Sequence, residues 1–128
     1  MKQLFLILII LLAFNTIINA QSKPKLPFVG KRYFNFMGGN GTGEVIQINS
    51  DGSCMIYTDG GPHGNEELIF NGKYSSKILA YRKNASGKLE FVAGYSIIGN
   101  KIFLINVKGK IEKGCLGDEK PCQSTLDK

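Results

Sequence analysis

Residues Lys88–Val107, KLEFVAGYSIIGNKIFLINV, decide the fold. Leu89, Phe91, Ala93, Tyr95 and Ile97 alternate with other residues, the period of two expected when a strand buries one face. After Gly99-Asn100 the pattern resumes, with Phe103, Ile105 and Val107 on one face and Ile102, Leu104 and Asn106 on the other. A strand that is apolar on both faces needs cover on both, which places the second run in the middle of a sheet. Gly-Asn between the runs is a two-residue hairpin signal, because so tight a turn needs a positive φ. The element is a β-hairpin, and the rest of the chain is read outward from it.

Upstream, Asn84–Gly87 leads into the hairpin from KYSSKILAYRK, which is expected as a strand over 73–83. Asn71-Gly72 is expected to turn that strand back from a short one over 67–70. Asp51-Gly52 is a second preferred turn pair, joining expected strands at 43–49 and 53–58. Lys31–Met37 opens the sheet with Phe34 and Phe36 on one face and Tyr33 and Met37 on the other. Downstream, Lys108-Gly109 permits a turn into a short strand over 110–113. Gly94, inside the long strand, is a place where the sheet can bulge or bend. No helical stripe recurs past the N-terminus. About eight short strands on short turns predict an all-β fold, a single antiparallel up-and-down meander closing into a small barrel, with a β-sandwich as the alternative.

The N-terminus reads differently. Lys2, an apolar run from Leu4 to Phe14 and a small residue at Ala20 describe a secretory signal peptide over 1–20, cleaved after Ala20. The run is far shorter than the roughly 20 residues that cross a bilayer. The expected order is signal peptide 1–20, extended leader 21–30, β domain 31–113 and C-terminal tail 114–128. The expected location is secreted or periplasmic, with no integral span after cleavage. What is left after cleavage suits one small domain.

Three cysteines in an exported chain suggest one disulfide and one free thiol. Cys115 and Cys122 enclose Gly117 and Pro121, which can bend the chain back. Closing that loop would contribute about 2.5 kcal/mol on the chain-entropy estimate. The alternative pairs Cys54 with one tail cysteine.

The segment FVGKRYFNF, residues 28–36, resembles the first-strand opening of lipocalin-like (calycin) barrels, where a Gly-x-Trp closes one end. Gly30 and Tyr33 match that pattern, Arg32 stands where the family has Trp, and the chain contains no Trp. The resemblance implies the barrel but no particular ligand, since ligands in that family follow the barrel interior.

Chemistry-bearing motifs are few. Gly38–Gly43, GGNGTG, lacks the Gly-Lys-Ser/Thr and following helix of a phosphate-binding loop. His63 is the sole histidine, in a nine-residue polar loop from Asp59 to Glu67. Asp59, Glu66 or Glu67 could assist it as metal ligand or general base, but no nucleophile is placed beside it. Asn40-Gly41-Thr42 and Asn84-Ala85-Ser86 match the glycosylation pattern in turns. The net charge of +6 could favour nucleic acid, anionic lipid or acidic polysaccharide. The lysines nevertheless fall singly at turns, where they guard sheet edges. Arg32 and Arg82 are the only arginines, too few for an aromatic-and-arginine nucleic-acid face. Most aromatics are expected in the core.

The expected function is therefore a non-enzymatic exported binding module. It would take a small apolar ligand or a macromolecular partner through loops carrying Asn40, Thr42, Asp59, His63, Asn65 and Glu66. No cofactor and no nucleic acid are expected, and the chain is read as a monomer. An inhibitor or immunity-type protein is a variant of this reading. The rivals are a small hydrolase or metal-dependent enzyme using His63, and a structural envelope protein with no ligand.

Overall fold

The computed structural model describes residues 25–38, 43–60 and 64–128. The expected signal peptide and the site candidates Asn40, Thr42 and His63 lie outside these. The fold is all-β, in two four-stranded antiparallel sheets. The first contains β1 (Gly30–Phe34), β2 (Glu44–Ile48), β3 (Ser53–Thr58) and β4 (Glu67–Lys73), and the second β5 (Ile78–Lys83), β6 (Leu89–Ile98), β7 (Lys101–Ile105) and β8 (Gln123–Thr125). Each sheet is a meander in sequence order. Among the described residues no helix is long and apolar enough to cross a membrane.

The hairpin of β6 and β7 forms as its sequence dictates. Ile98 faces Lys101 across a two-residue turn, and Gly99 takes φ 63°. A positive angle at the first central position is what a type II′ turn requires. A second kind of turn is built three times, at Asn49–Gly52, Asn84–Gly87 and Asn106–Gly109. In each, the glycine N–H donates to the asparagine carbonyl at 2.9 Å, as in a type I turn closed by a left-handed residue. The Oδ1 atoms of Asn84 and Asn106 hold their turns from within, accepting from the N–H groups of Ser86 and Lys88, and of Lys108 and Lys110, all at 3.0 Å.

The two sheets share one core. Ile46, Ile48 and Ile56 of the first and Ile78, Tyr95 and Ile102 of the second join Phe34, Phe36, Cys54, Cys122 and Leu126. Each such isoleucine contributes about 1.5–3 kcal/mol by leaving water. Tyr95 stacks on Phe36 and meets Phe34 edge to face at 5.9 Å between centroids. Phe28 packs against the same core with the Arg32 guanidinium 4.6 Å over its ring.

The expected closed barrel is not what the strands make. Among the described residues the ladder stops between β4 and β5, which do not pair. Opposite, the sheets are joined where Tyr33 bridges Asp127, its N–H donating to the Asp127 carbonyl at 2.7 Å and its carbonyl accepting at 2.9 Å. The ladders on either side of the break each carry a bulge. Ile56 pairs Phe70 and Tyr57 pairs Leu68, so Ile69 is extra in β4; Ala80 pairs Ala93 and Tyr81 pairs Phe91, so Val92 is extra in β6. A bulge bends and overtwists its strand. Across the gap, an exposed Arg82–Glu67 ion pair at 2.9 Å joins β5 to β4.

Four further expectations are corrected. The bulge falls at Val92, not Gly94, and it turns Leu89 and Phe91 outward to 60% and 36% exposure. Gly94 is instead a close-approach site, where a Cβ would sit 2.7 Å from the Ile105 carbonyl oxygen. Asn71-Gly72 is not a turn: β4 runs through it, with Gly72 opposite Cys54. A Cβ there would come within 2.9 Å of the tip of the Phe70 ring, which would have to shift to admit it. Finally, Lys110–Lys113 forms isolated bridges at Ile111 and Lys113 rather than a strand. The strand on that side of β7 is β8, which follows the disulfide.

The disulfide joins Cys115 to Cys122, with Cα atoms 5.3 Å apart, and Cys54 is a buried free thiol. The link folds the chain back so that the Cys122 carbonyl accepts from Leu104 N–H at 3.0 Å and its N–H donates to the Glu112 carbonyl at 2.8 Å. That sets up β8 against β7.

Candidate functional site

Of the loop residues, Asp59, Asn65 and Glu66 are described and all are exposed. The backbones at Gly60 and Gly64 approach so closely that neither has room for a side chain, which pinches the neck of the 59–67 loop. Glu67 is committed to Arg82. Among the described residues no cluster of three His, Cys, Asp or Glu side chains could hold a metal ion. The Asn84 carboxamide is occupied as a turn cap, accepting from Ser86 N–H, Ser86 Oγ and Lys88 N–H and donating to Glu90 Oε1 at 2.9 Å.

Glu66 does join something larger. On the outer face of the first sheet the register aligns Tyr33, Val45, Tyr57 and Leu68 in one row across β1 to β4. Alternation produces the row, since the neighbours Phe34, Ile46 and Ile56 point into the core. Val45 is only 1% exposed although it faces outward, so its lateral neighbours cover it. Tyr33 and Leu68 are 46% and 53% exposed. The next row is Lys31, Gln47, Met55 and Asn71. Lys31, Gln47, Met55, Tyr57, Glu66 and Leu68 line an open groove of about 320 Å³. Gln47 is steadied there by donating through Nε2 to Asn49 Oδ1 at 3.1 Å.

No family model matches this chain, and neither a curated protein nor a solved structure matches it. Function must therefore be argued from the residues.

Two other places carry chemistry. Tyr95 donates its hydroxyl to Glu44 Oε2 at 3.1 Å, bonding β6 to β2 across the core. Burial holds the Glu44 carboxyl above its ordinary value, with the tyrosine bond pulling partly back. Burial, then the nearby Glu44 charge, pushes the Tyr95 phenol well up. This pair ties the sheets together at a polar point and has no open approach comparable to the groove. On the second sheet, the exposed Tyr81 packs edge to face on Phe91 at 5.9 Å. Beside it Phe91, Val92, Leu104, Ile105 and the Glu112–Cys115 segment line a second open groove of about 300 Å³.

The outward row is the site that sequence reasoning missed. Its signal was present: Lys31 and Tyr33, then Met55 and Tyr57, recur at period two, out of phase with the buried residues. A single strand's pattern does not show which apolar face is covered, so the sequence alone assigns these tyrosines to the core.

Proposed function

We propose that this chain is an exported, non-enzymatic binding module that recognises a macromolecular partner from its surface. The observation that carries it is the contrast between interior and outer face. The space between the sheets is filled by side chains at 0–3% exposure, among them Ile46, Ile56, Ile102, Phe34 and Tyr95. A lipocalin-like barrel would keep that space for a small apolar ligand. The groove over the first sheet is instead open, holds both apolar and polar groups, and rests on four paired strands. Recognition on a rigid sheet costs little ordering entropy on binding. Export is supported by the N-terminal sequence and by the Cys115–Cys122 disulfide, a bond that persists in oxidising compartments.

Native mass spectrometry on the processed protein, purified from the compartment that receives it, tests this reading. A retained macromolecular species, absent under denaturing conditions, is the expected result. A tightly held small apolar molecule would move the site to the interior and overturn it. Turnover of a substrate abolished by His63→Ala would make the protein an enzyme instead.

A further inference from the structure

Beyond the groove of the first sheet, we infer that the β5–β6 hairpin of the second docks onto the surface of an anionic lipid bilayer. Tyr81, Leu89, Phe91 and Val92 would enter its apolar boundary, and Lys83 and Lys88 would meet its head groups. The buried part of both strands ends at Ala80, which is 1% exposed, and at Ala93, which packs against the core. From Tyr81 to Val92 every residue is exposed except Asn84, which is half-buried. The hairpin therefore projects from the two sheets with both faces in water. Val92, the extra residue of the bulge, marks the point of departure, since a bulge bends its strand. Projection leaves Tyr81, Leu89, Phe91 and Val92 in water together, at 45%, 60%, 36% and 43% exposure. Tyr81 lies opposite Phe91 and Lys83 opposite Leu89, so by alternation these share one face. The core does not need this apolar cluster, and clusters of that kind on a surface mark interaction sites.

Charge selects the occupant. Arg82 pairs with Glu67 at 2.9 Å, and Glu90 accepts from Asn84 Nδ2 at 2.9 Å. Arg82 and Glu90 lie opposite each other on the face away from the aromatic pair. Among the described residues no carboxylate forms an ion pair with Lys83 or Lys88. The adjoining groove holds one charge of each sign, Glu112 and Lys113. The tip thus keeps an uncompensated positive charge beside an apolar face, within a chain of net charge +6. Anionic head groups over hydrocarbon match both features. Lysine stems are long enough to hold their ammonium groups among head groups while neighbouring side chains sink deeper, and tyrosine, apolar at one end and polar at the other, suits the boundary. A second copy joined through this face would instead bring the lysines of both chains into one contact.

The test is cosedimentation of the processed protein with vesicles of phosphatidylglycerol mixed with phosphatidylcholine, against vesicles of phosphatidylcholine alone. The protein should sediment with the anionic vesicles, and less so as salt is added. Leu89→Ser combined with Phe91→Ser should weaken binding about tenfold or more. Lys83→Gln and Lys88→Gln should each weaken it about fivefold. Circular dichroism shows whether each variant keeps its fold, and the lysine variants carry the test if the serine pair does not. The chain contains no Trp, so Leu89→Trp places a single reporter at the tip, whose emission should move to shorter wavelength with anionic vesicles. Absence of sedimentation at low salt overturns the inference, as does equal sedimentation with both kinds of vesicle. So does binding that either set of substitutions leaves unchanged, or a Leu89→Trp emission that vesicles do not move. A dimer or a protein complex in native mass spectrometry that the serine pair breaks, with no vesicle binding, would give this face to a second copy or to a protein and overturn it too. A bound macromolecule that the serine pair leaves in place, with no vesicle binding, would keep the binding-module reading and remove the lipid one.

Discussion

Glu44 is held on the inward side of β2 by its bond to the Tyr95 hydroxyl, and its titration links one residue to the stability of the whole. Its folded-state value lies above the ordinary 4.5 because burial disfavours the charge. The sign follows from linkage. A raised carboxyl contributes stability that is fully present below the unfolded value and is lost as pH rises through the folded one. Glu44→Gln keeps an acceptor for Tyr95 and removes the buried charge. The variant should therefore melt higher than the wild type at pH 7, and the difference should vanish near pH 3. Melting curves at the two pH values check this, and a difference of the same size at both would show that the charge is not the cause. Cys54 has a related origin without a partner: burial alone pushes its thiol up to about 11, so it is a packing residue opposite Gly72 rather than a nucleophile.

At the scale of elements, the last stretch of chain does more than the word tail conveys. Cys122 bonds to both Leu104 and Glu112, β8 pairs with β7, Ser124 Oγ accepts from Asn35 N–H at 2.9 Å, and Asp127 bridges Tyr33. One disulfide tethers all of this. Replacing Cys115 and Cys122 together by Ser should lower stability by about 2.5 kcal/mol on the loop-entropy estimate. Urea denaturation monitored by circular dichroism would show the loss, and an unchanged midpoint would mean that the strand pairings alone hold the strap. The tail also shows where reading the sequence reached its limit. The disulfide was legible from spacing, and the 88–107 hairpin from period and turn chemistry. The strand at Gln123–Thr125 was not, because QST has little apolar pattern and is recruited by the bonds that the disulfide positions. Asn71-Gly72 misled for a similar reason: its local turn preference yields to pairing with β3 and to the space that the Phe70 ring requires. Alternation placed Leu89 and Phe91 inward, and one extra residue at Val92 reversed them. Of the residues lining the groove, the sequence singles out Glu66 alone as a site candidate, since a groove across four strands depends on register between segments far apart in sequence.

For the molecule as a whole, the question is what joins the two sheets. On one side Tyr33 and Asp127 exchange two backbone hydrogen bonds. On the other, β4 and β5 lie at the free edges of their sheets, and the pairing is replaced by the Arg82–Glu67 contact. Exposed ion pairs of this kind contribute roughly 0–1 kcal/mol, so the shared core carries most of the attachment there. A closed barrel would leave no edge, whereas an open seam leaves backbone groups that only water can satisfy. Native-state hydrogen exchange reads this directly, because amides bonded to water open with low free energy while those in doubly paired strands need larger openings. The slowest amides should fall in β2, β3, β6 and β7, each flanked by partners on both sides. The amides of β4 and β5 that face the seam should exchange orders of magnitude faster than those facing β3 and β6. Equal protection on both sides of β4 and β5 would show a continuous ladder and a barrel closed in solution. The Tyr33 amide, at the opposite junction, should be protected to a degree that tracks the disulfide. Reduction would release the strap, and the Tyr33 and Asp127 amides should then become fast together while the β6–β7 hairpin stays slow.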